Sequence, residues 1–354
     1  MLKYFKYSYL VTVLGLLAAY LWGQMHIGGV GIKMLFVALF LAILEITLSF
    51  DNAIVNAMRL EKMDHKWQQC FLTWGILIAV FGMRLFFPIV IVSVFSGESM
   101  FSVAQMALND ITQYSYYLEK AHIPLVTFGG IFLFMIFFAY FFNSEKERFW
   151  LPGIEKLFSK IGNLGSFDVI AALITLCFLQ HYIPTEHKVS VILSGIGAIL
   201  TFLIINGATN MLETFAEKEQ VLSATGKIGF INFLYLELID ASFSFDGLLG
   251  AFAISKDIII ITIGLAIGAM FVRSLTIFMV EKKTLKHYIY LEHGAHWAIG
   301  FLAVVMLVST KMHVPEGVTG IFSLVLIIAA LVSSIIVQKR QLAQDVKSIC
   351  ENKD

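Results

Sequence analysis

Residues 33–58 read KMLFVALFLAILEITLSFDNAIVNAM. An apolar run long enough to cross a bilayer carries Glu45 near its centre and a Ser49-Phe50-Asp51-Asn52 segment beyond it. A second stretch repeats the pattern: Asp240 precedes Ser244-Phe245-Asp246-Gly247, so each copy holds two carboxylates six positions apart. Each copy is followed by an arginine, Arg84 and Arg273, and in each a glycine stands nine positions before it, Gly75 and Gly264. Acids and arginines inside apolar segments decide the reading. Each ionised group at a bilayer centre costs at least about 2.5–3.5 kcal/mol, so these groups must face one another, water or a cation.

The rest of the chain places these segments in a membrane. Of 354 residues, 58% are hydrophobic and 14% charged, with 32 phenylalanines and five prolines. A soluble domain carries about 25% charged residues. Crossing a bilayer takes roughly 20 apolar residues per helix. About ten such spans are expected, centred on 7–22, 33–58, 72–95, 124–142, 167–183, 189–208, 227–254, 258–280, 295–309 and 318–337. The expected fold is all-α, a polytopic transmembrane helical bundle. The first span resembles a signal peptide, but no small-residue cleavage site follows Ala18-Ala19, and it is read as retained.

Lysine and arginine bias orients the bundle. With both termini in the cytoplasm of a cell (inner) membrane, eighteen basic residues fall on the cytoplasmic side and five on the other. The two acidic copies then run in opposite directions, which makes them an inverted repeat of the kind that builds many secondary transporters. The expected organisation is an N-terminal span and loop at 1–30 and a first repeat at 31–142. A two-helix insertion follows at 143–227, then the second repeat at 228–337 and a cytoplasmic tail at 338–354.

Helical spacing refines the site. Glu45, Ser49, Asn52 and Asn56 share one face, and Asp240, Ser244 and Gly247 share another. Asp51 and Asp246 fall off those faces, so local unwinding at 49–52 and 244–247 is expected to aim both acids of a copy at one point. Carboxylates, an amide, hydroxyls and released carbonyls form a hard-oxygen set suited to Mn²⁺, Ca²⁺ or Mg²⁺ rather than to soft metals. The expected metal-handling residues are Glu45, Asp51, Asn52, Asp240 and Asp246. Arg84 and Arg273 balance charge, and Ser49, Ser244, Asn56 and Glu237 are accessory. A purely structural set of arginine–carboxylate pairs would leave two acids without a basic partner in the membrane.

These motifs resemble the TerC family of integral membrane proteins. Leu44-Glu45 followed by Asp51-Asn52-Ala53-Ile54 is similar to its first signature. Asp240 through Asp246-Gly247, then Arg273-Ser274-Leu275, is similar to its second. Gly247 stands where that family usually has serine. The resemblance covers residues 33–142 and 228–337 and implies export of Mn²⁺ or a related divalent cation. It also carries an association with tellurium resistance. Four family acids carry over to Glu45, Asp51, Asp240 and Asp246.

Other classes are weaker. The balance of 25 basic and 25 acidic residues gives no case for nucleic-acid binding. Three scattered cysteines suit neither a disulfide framework nor a zinc site. A Walker A sequence, a Gly-x-Gly-Asp motif and His-Glu-x-x-His are all absent from the chain, against an ATP-driven pump and an intramembrane hydrolase. No enzyme activity and no permanently bound cofactor are expected; the divalent cation is cargo. The alternative is a membrane scaffold for a metal or tellurite stress-response complex, whose function would rest on Lys282, Lys283 and Lys286. The expected partners are the lipid bilayer and the cation, with the chain acting alone or as a homo-oligomer. Glu292, His293 and His296 at the start of the ninth span are read as interfacial residues with a lesser claim to metal, and Asn206 and Asn210 as polar lining.

Overall fold

A computed structural model describes residues 2–26, 29–61, 63–78, 81–82, 86–144, 146, 148–162, 166–219, 222–255, 257–312, 314 and 316–351. Within them, the side chains of 212–219, 222–227, 243–250 and a few scattered positions are not described. The order is α1 (Leu2–His26), α2 (Gly31–Leu48), α3 (Phe50–Glu61), α4 (His65–Leu77), α5 (Phe87–Ser96), α6 (Met100–Asn109), α7 (Ile111–Phe141) and α8 (Pro152–Gly162). Then come α9 (Phe167–Tyr182), α10 (Lys188–Glu219), α11 (Leu222–Ile254), α12 (Ile258–Glu281), α13 (Thr284–His287), α14 (Leu291–Ser309) and α15 (Glu316–Glu351). No strand occurs among the described residues.

Among the described residues, seven helices are long and apolar enough to cross a membrane. The pair α8 and α9, bent by 105°, would make an eighth if taken as one span. α11 is 33 residues long but carries acids, and the third expected span is divided between α4 and α5. The exterior fits lipid rather than water. α1 exposes Leu10, Leu14, Leu17 and Leu21, and α10 exposes Leu193, Leu200 and Ile204. An apolar exterior of this extent has no stable place in water. The chain is a multi-pass membrane protein.

Three boundaries depart from the sequence expectation, each for a physical reason. Pro124 stands at the start of the expected fourth span, yet α7 runs through it from Ile111. The added turns are held by Tyr114, Leu118 and Ala121, buried at intervals of one turn, which outweigh the lost proline donor. The break expected over 49–52 is confined to Ser49, at φ −100° and ψ 16°, between α2 and α3. The matching break at 244–247 does not occur, because α11 keeps a continuous helical backbone from Leu222 to Ile254. Gly247 permits an interruption but does not require one. In lipid, every internal backbone bond that is kept avoids an unsatisfied polar group.

The core is built from packed helix pairs. α7 packs on α14, and α12 packs on α2 and α3. α11 touches α2, α3 and α4, while α1 lies along α2 and α12. Ser8 Oγ donates to Met270 O at 2.8 Å and lies 2.7 Å from Ser274 Oγ, and Trp22 Nε1 donates to Asp257 Oδ2 at 3.0 Å. These bonds tie α1 to the N-cap and to the middle of α12, the helix that carries Arg273.

Candidate acidic cavity inside the bundle

Two glycines on α12 decide where Glu45 lies. A Cβ at Gly264 would meet Leu41 Cβ at 2.6 Å and Ala38 O at 2.9 Å; one at Gly268 would meet Glu45 Cβ at 2.5 Å and Ala42 O at 2.8 Å. The obstructing atoms include backbone carbonyls, which cannot swing away. Only glycine at these positions lets α2 approach so closely, as small-xxx-small pairs do in membranes. The approach presses Glu45 against α12, beside Arg273 and facing α11.

Residues from four helices then line one cavity. α2 contributes Glu45 up to the Ser49 break, α3 gives Asn52 and Asn56, α11 gives Asp240, and α12 gives Ala269, Val272 and Arg273. The volume open to the centre of a water-sized body is about 10 Å³, room for one water or one dehydrated cation. Asn52 Nδ2 donates to Asp240 Oδ1 at 2.5 Å, and Ser49 Oγ donates to Glu45 Oε1 at 2.9 Å. Because Asp240 takes the amide NH₂, Asn52 Oδ1 is turned to another quarter. Neither Asn52 Oδ1 nor Asn56 Oδ1 accepts a hydrogen bond among the described residues, and both are buried. Buried acceptors without donors are rare. A hard cation is the chemical complement of such a set. The C-terminus of α2 ends at Ser49 and adds the negative end of a helix dipole, worth about 0.3–1 kcal/mol to a nearby cation.

Arg273 is held on three sides. Its guanidinium lies 3.5 Å over the Phe71 ring, and its Nη2 donates to Gly75 O at 2.9 Å. The same Nη2 is 3.5 Å from Glu237 Oε1 and 3.9 Å from Asp240 Oδ2. A Cβ at Gly75 would lie 2.7 Å from Glu237 Oε1, so this glycine makes room for the pair. Burying such groups is tolerable only with their partners in place. Among the described residues, Glu45, Asp51, Glu237 and Asp240 are buried in the same region as the Arg273 guanidinium.

The expected site residues therefore divide. Glu45, Ser49, Asn52, Asn56, Asp240 and Arg273 converge on the cavity. Glu237 joins through Arg273. Asp51 is buried beside it without lining it; its Oδ1 accepts from Asn52 N at 2.9 Å and its Oδ2 has no hydrogen-bond partner among the described residues. Arg84 and the side chains of Ser244 and Asp246 lie outside the described residues, as do those of Glu213, Glu217 and Glu219. Among the described residues no group of three or more His, Cys, Asp or Glu side chains is placed to hold a metal by itself. An ion in the cavity would therefore draw on the amide and hydroxyl oxygens as well as on Glu45 and Asp240. Sequence reasoning missed Gly268 and Phe71, and it singled out Gly75 by spacing alone, without its contact to Arg273 and Glu237. The Gly264-Leu265-Ala266-Ile267-Gly268 pattern carried the signal for the first. Nothing in the sequence pairs Phe71 with Arg273.

The fold and the cavity define a class: a multi-pass α-helical membrane protein with a buried, acid-rich polar cavity between its helices. The chain belongs to the family described as "Protein of unknown function (DUF475)", whose model matches residues 50–341. That match takes in Asp51, Asn52, Asn56, Glu237, Asp240 and Arg273, while Glu45 and Ser49 precede it. No curated protein and no solved structure matches the chain.

Proposed function

We propose that this chain is a secondary transporter that exports a divalent metal cation, with Mn²⁺ the favoured cargo and Ca²⁺ the next, in exchange for protons. One observation carries the reading: Glu45, Asn52, Asn56 and Asp240 meet from three helices on a single ion-sized cavity whose amide oxygens accept no hydrogen bond among the described residues. The resemblance to the TerC family supports the cargo class, and the basic-residue bias supports an inner-membrane protein with both termini in the cytoplasm. In this mechanism the empty site keeps its carboxylates protonated or balanced by Arg273, since bare buried charges are too costly. An arriving cation displaces those protons, and release of the cation on the far side lets them return.

Purified protein in liposomes tests the reading by Mn²⁺, Ca²⁺, Mg²⁺ and Zn²⁺ flux under an imposed proton gradient. Wild-type protein is expected to move Mn²⁺ fastest, with Glu45→Gln and Asp240→Asn at background while remaining monodisperse. Full flux in both variants would end the proposal.

A further inference from the structure

A second, larger cavity lies next to the acidic one, along the same helices. α3 gives Val55, Met58 and Arg59 to it, the last nearly one turn beyond Asn56, and α11 gives Tyr235, five residues before Asp240. At 1.5 Å per residue the two cavities are offset by roughly 5–8 Å along these axes. By the same measure as before its volume is about 190 Å³. Asn143, which is exposed, marks its mouth; Val55, Ile136 and Phe202 are buried at its floor.

Two side chains on its wall form a pair. Glu292 and His296 are four residues apart on α14, so they share a helix face, and both line the cavity. His296 Nδ1 lies 2.9 Å from the backbone oxygen of Glu292. A carbonyl can only accept, so Nδ1 carries the hydrogen and the neutral ring presents Nε2 as a bare lone pair. This is how histidines are prepared for metal binding, with one nitrogen anchored and the other directed at the ion. Nδ1 makes the ring's hydrogen bond, and none is made by Nε2 among the described residues. Tyr140 stacks on the ring at 3.5 Å between centroids and fixes its plane.

We propose that Glu292 and His296 form a loading site for a hydrated first-row divalent cation, occupied before the ion sheds its water and passes to the inner cavity. This rests on the transport reading and adds a selectivity step to it. Two protein ligands leave the ion most of its water shell, and the cavity has room for that shell. Asn206, Asn143 and the Tyr235 hydroxyl can bond to those waters. A nitrogen ligand favours Mn²⁺, Fe²⁺, Co²⁺ and Zn²⁺ over Mg²⁺ and Ca²⁺, a preference that the oxygen-only inner cavity lacks. Positive charge nearby keeps the binding weak: Arg59, on the same cavity wall, lies 4.5 Å over the Tyr235 ring. A weak, partly hydrated site suits transit rather than storage.

Mn²⁺ electron spin echo modulation on the tag-free protein in nanodiscs reads the nitrogen ligand directly. Wild-type protein is expected to show ¹⁴N modulation, and Asp240→Asn is expected to keep it, since the inner cavity contributes only oxygen. His296→Gln should abolish the modulation. Glu292→Gln keeps the ring and its stacking intact, and should weaken Mn²⁺ binding at this site at least tenfold. Should His296→Gln fail to fold, Glu292→Gln carries the test alone. Absent modulation in wild type, modulation that survives in His296→Gln, or unchanged affinity in Glu292→Gln overturns the proposal. A nitrogen signal without any metal flux in liposomes would leave the loading site standing and remove the transport reading instead.

Discussion

Gly268 has no side chain, and that is its contribution to the site. A methyl group there would press on Glu45 Cβ and on the Ala42 carbonyl, so Gly268→Ala forces α2 and α12 apart. Overpacking of this kind costs about 1–3 kcal/mol. Gly207, exposed on α10, has nothing within 4 Å of its Cβ position. There the same change gains up to about 1 kcal/mol of helix propensity. Thermal unfolding in detergent is expected to show a lower midpoint for Gly268→Ala and an equal or higher one for Gly207→Ala; equal losses in both would refute the packing argument. At this scale the acids were legible in the sequence, because Glu45 and Asp240 sit where no ionisable group belongs without a reason. Their partners were less so. Asn52 reaches Asp240 across 188 positions, and the Phe71 ring meets Arg273 only because α4 packs against α12.

Helices set these contacts, and one helix unforeseen in the sequence has a clear anchor. α8 is amphipathic and buries Glu155, whose carboxylate accepts from Trp150 N at 2.9 Å and Trp297 Nε1 at 3.0 Å, with His293 Nδ1 at 2.9 Å. The loop before it carries Lys146, whose ammonium burial pushes down to about 7, while Glu155 and Glu292 pull the other way. An unfolded lysine stays protonated to about 10.4. Between those values the unfolded chain binds more protons than the folded one, so this residue makes stability rise with pH across that window and contributes no slope below it. Unfolding midpoints measured between pH 7 and 10 should show that rise in wild type and a flatter profile in Lys146→Met; identical slopes would count against it. Seven of the ten expected spans were legible, because hydrophobic length goes far towards defining them. The α7 start was not, since proline is a helix opener in most settings and here lies mid-helix. Nor was the asymmetry between Ser49 and the unbroken α11, since Gly247 allows a break without imposing one.

At the level of the whole molecule, the distribution of lysine and arginine makes a topological claim. Cysteines placed singly at Lys3 and Lys339 in a cysteine-free background are expected to react from the same, cytoplasmic face, and one at Lys188 from the opposite face. Labelling of Lys3 and Lys339 positions from different faces would break the even count of crossings and, with it, the opposed orientation of the two acidic segments. The arrangement around Arg273 has a bearing on how such a molecule would turn over. Its guanidinium has no proton to lose near neutral pH, and Phe71, Gly75 and Glu237 leave it nowhere to swing. A doubly charged guest must therefore share its acids with a permanent lodger. Every 1.4 kcal/mol of that competition shortens dwell time about tenfold, so throughput would be governed by quick departure rather than firm capture.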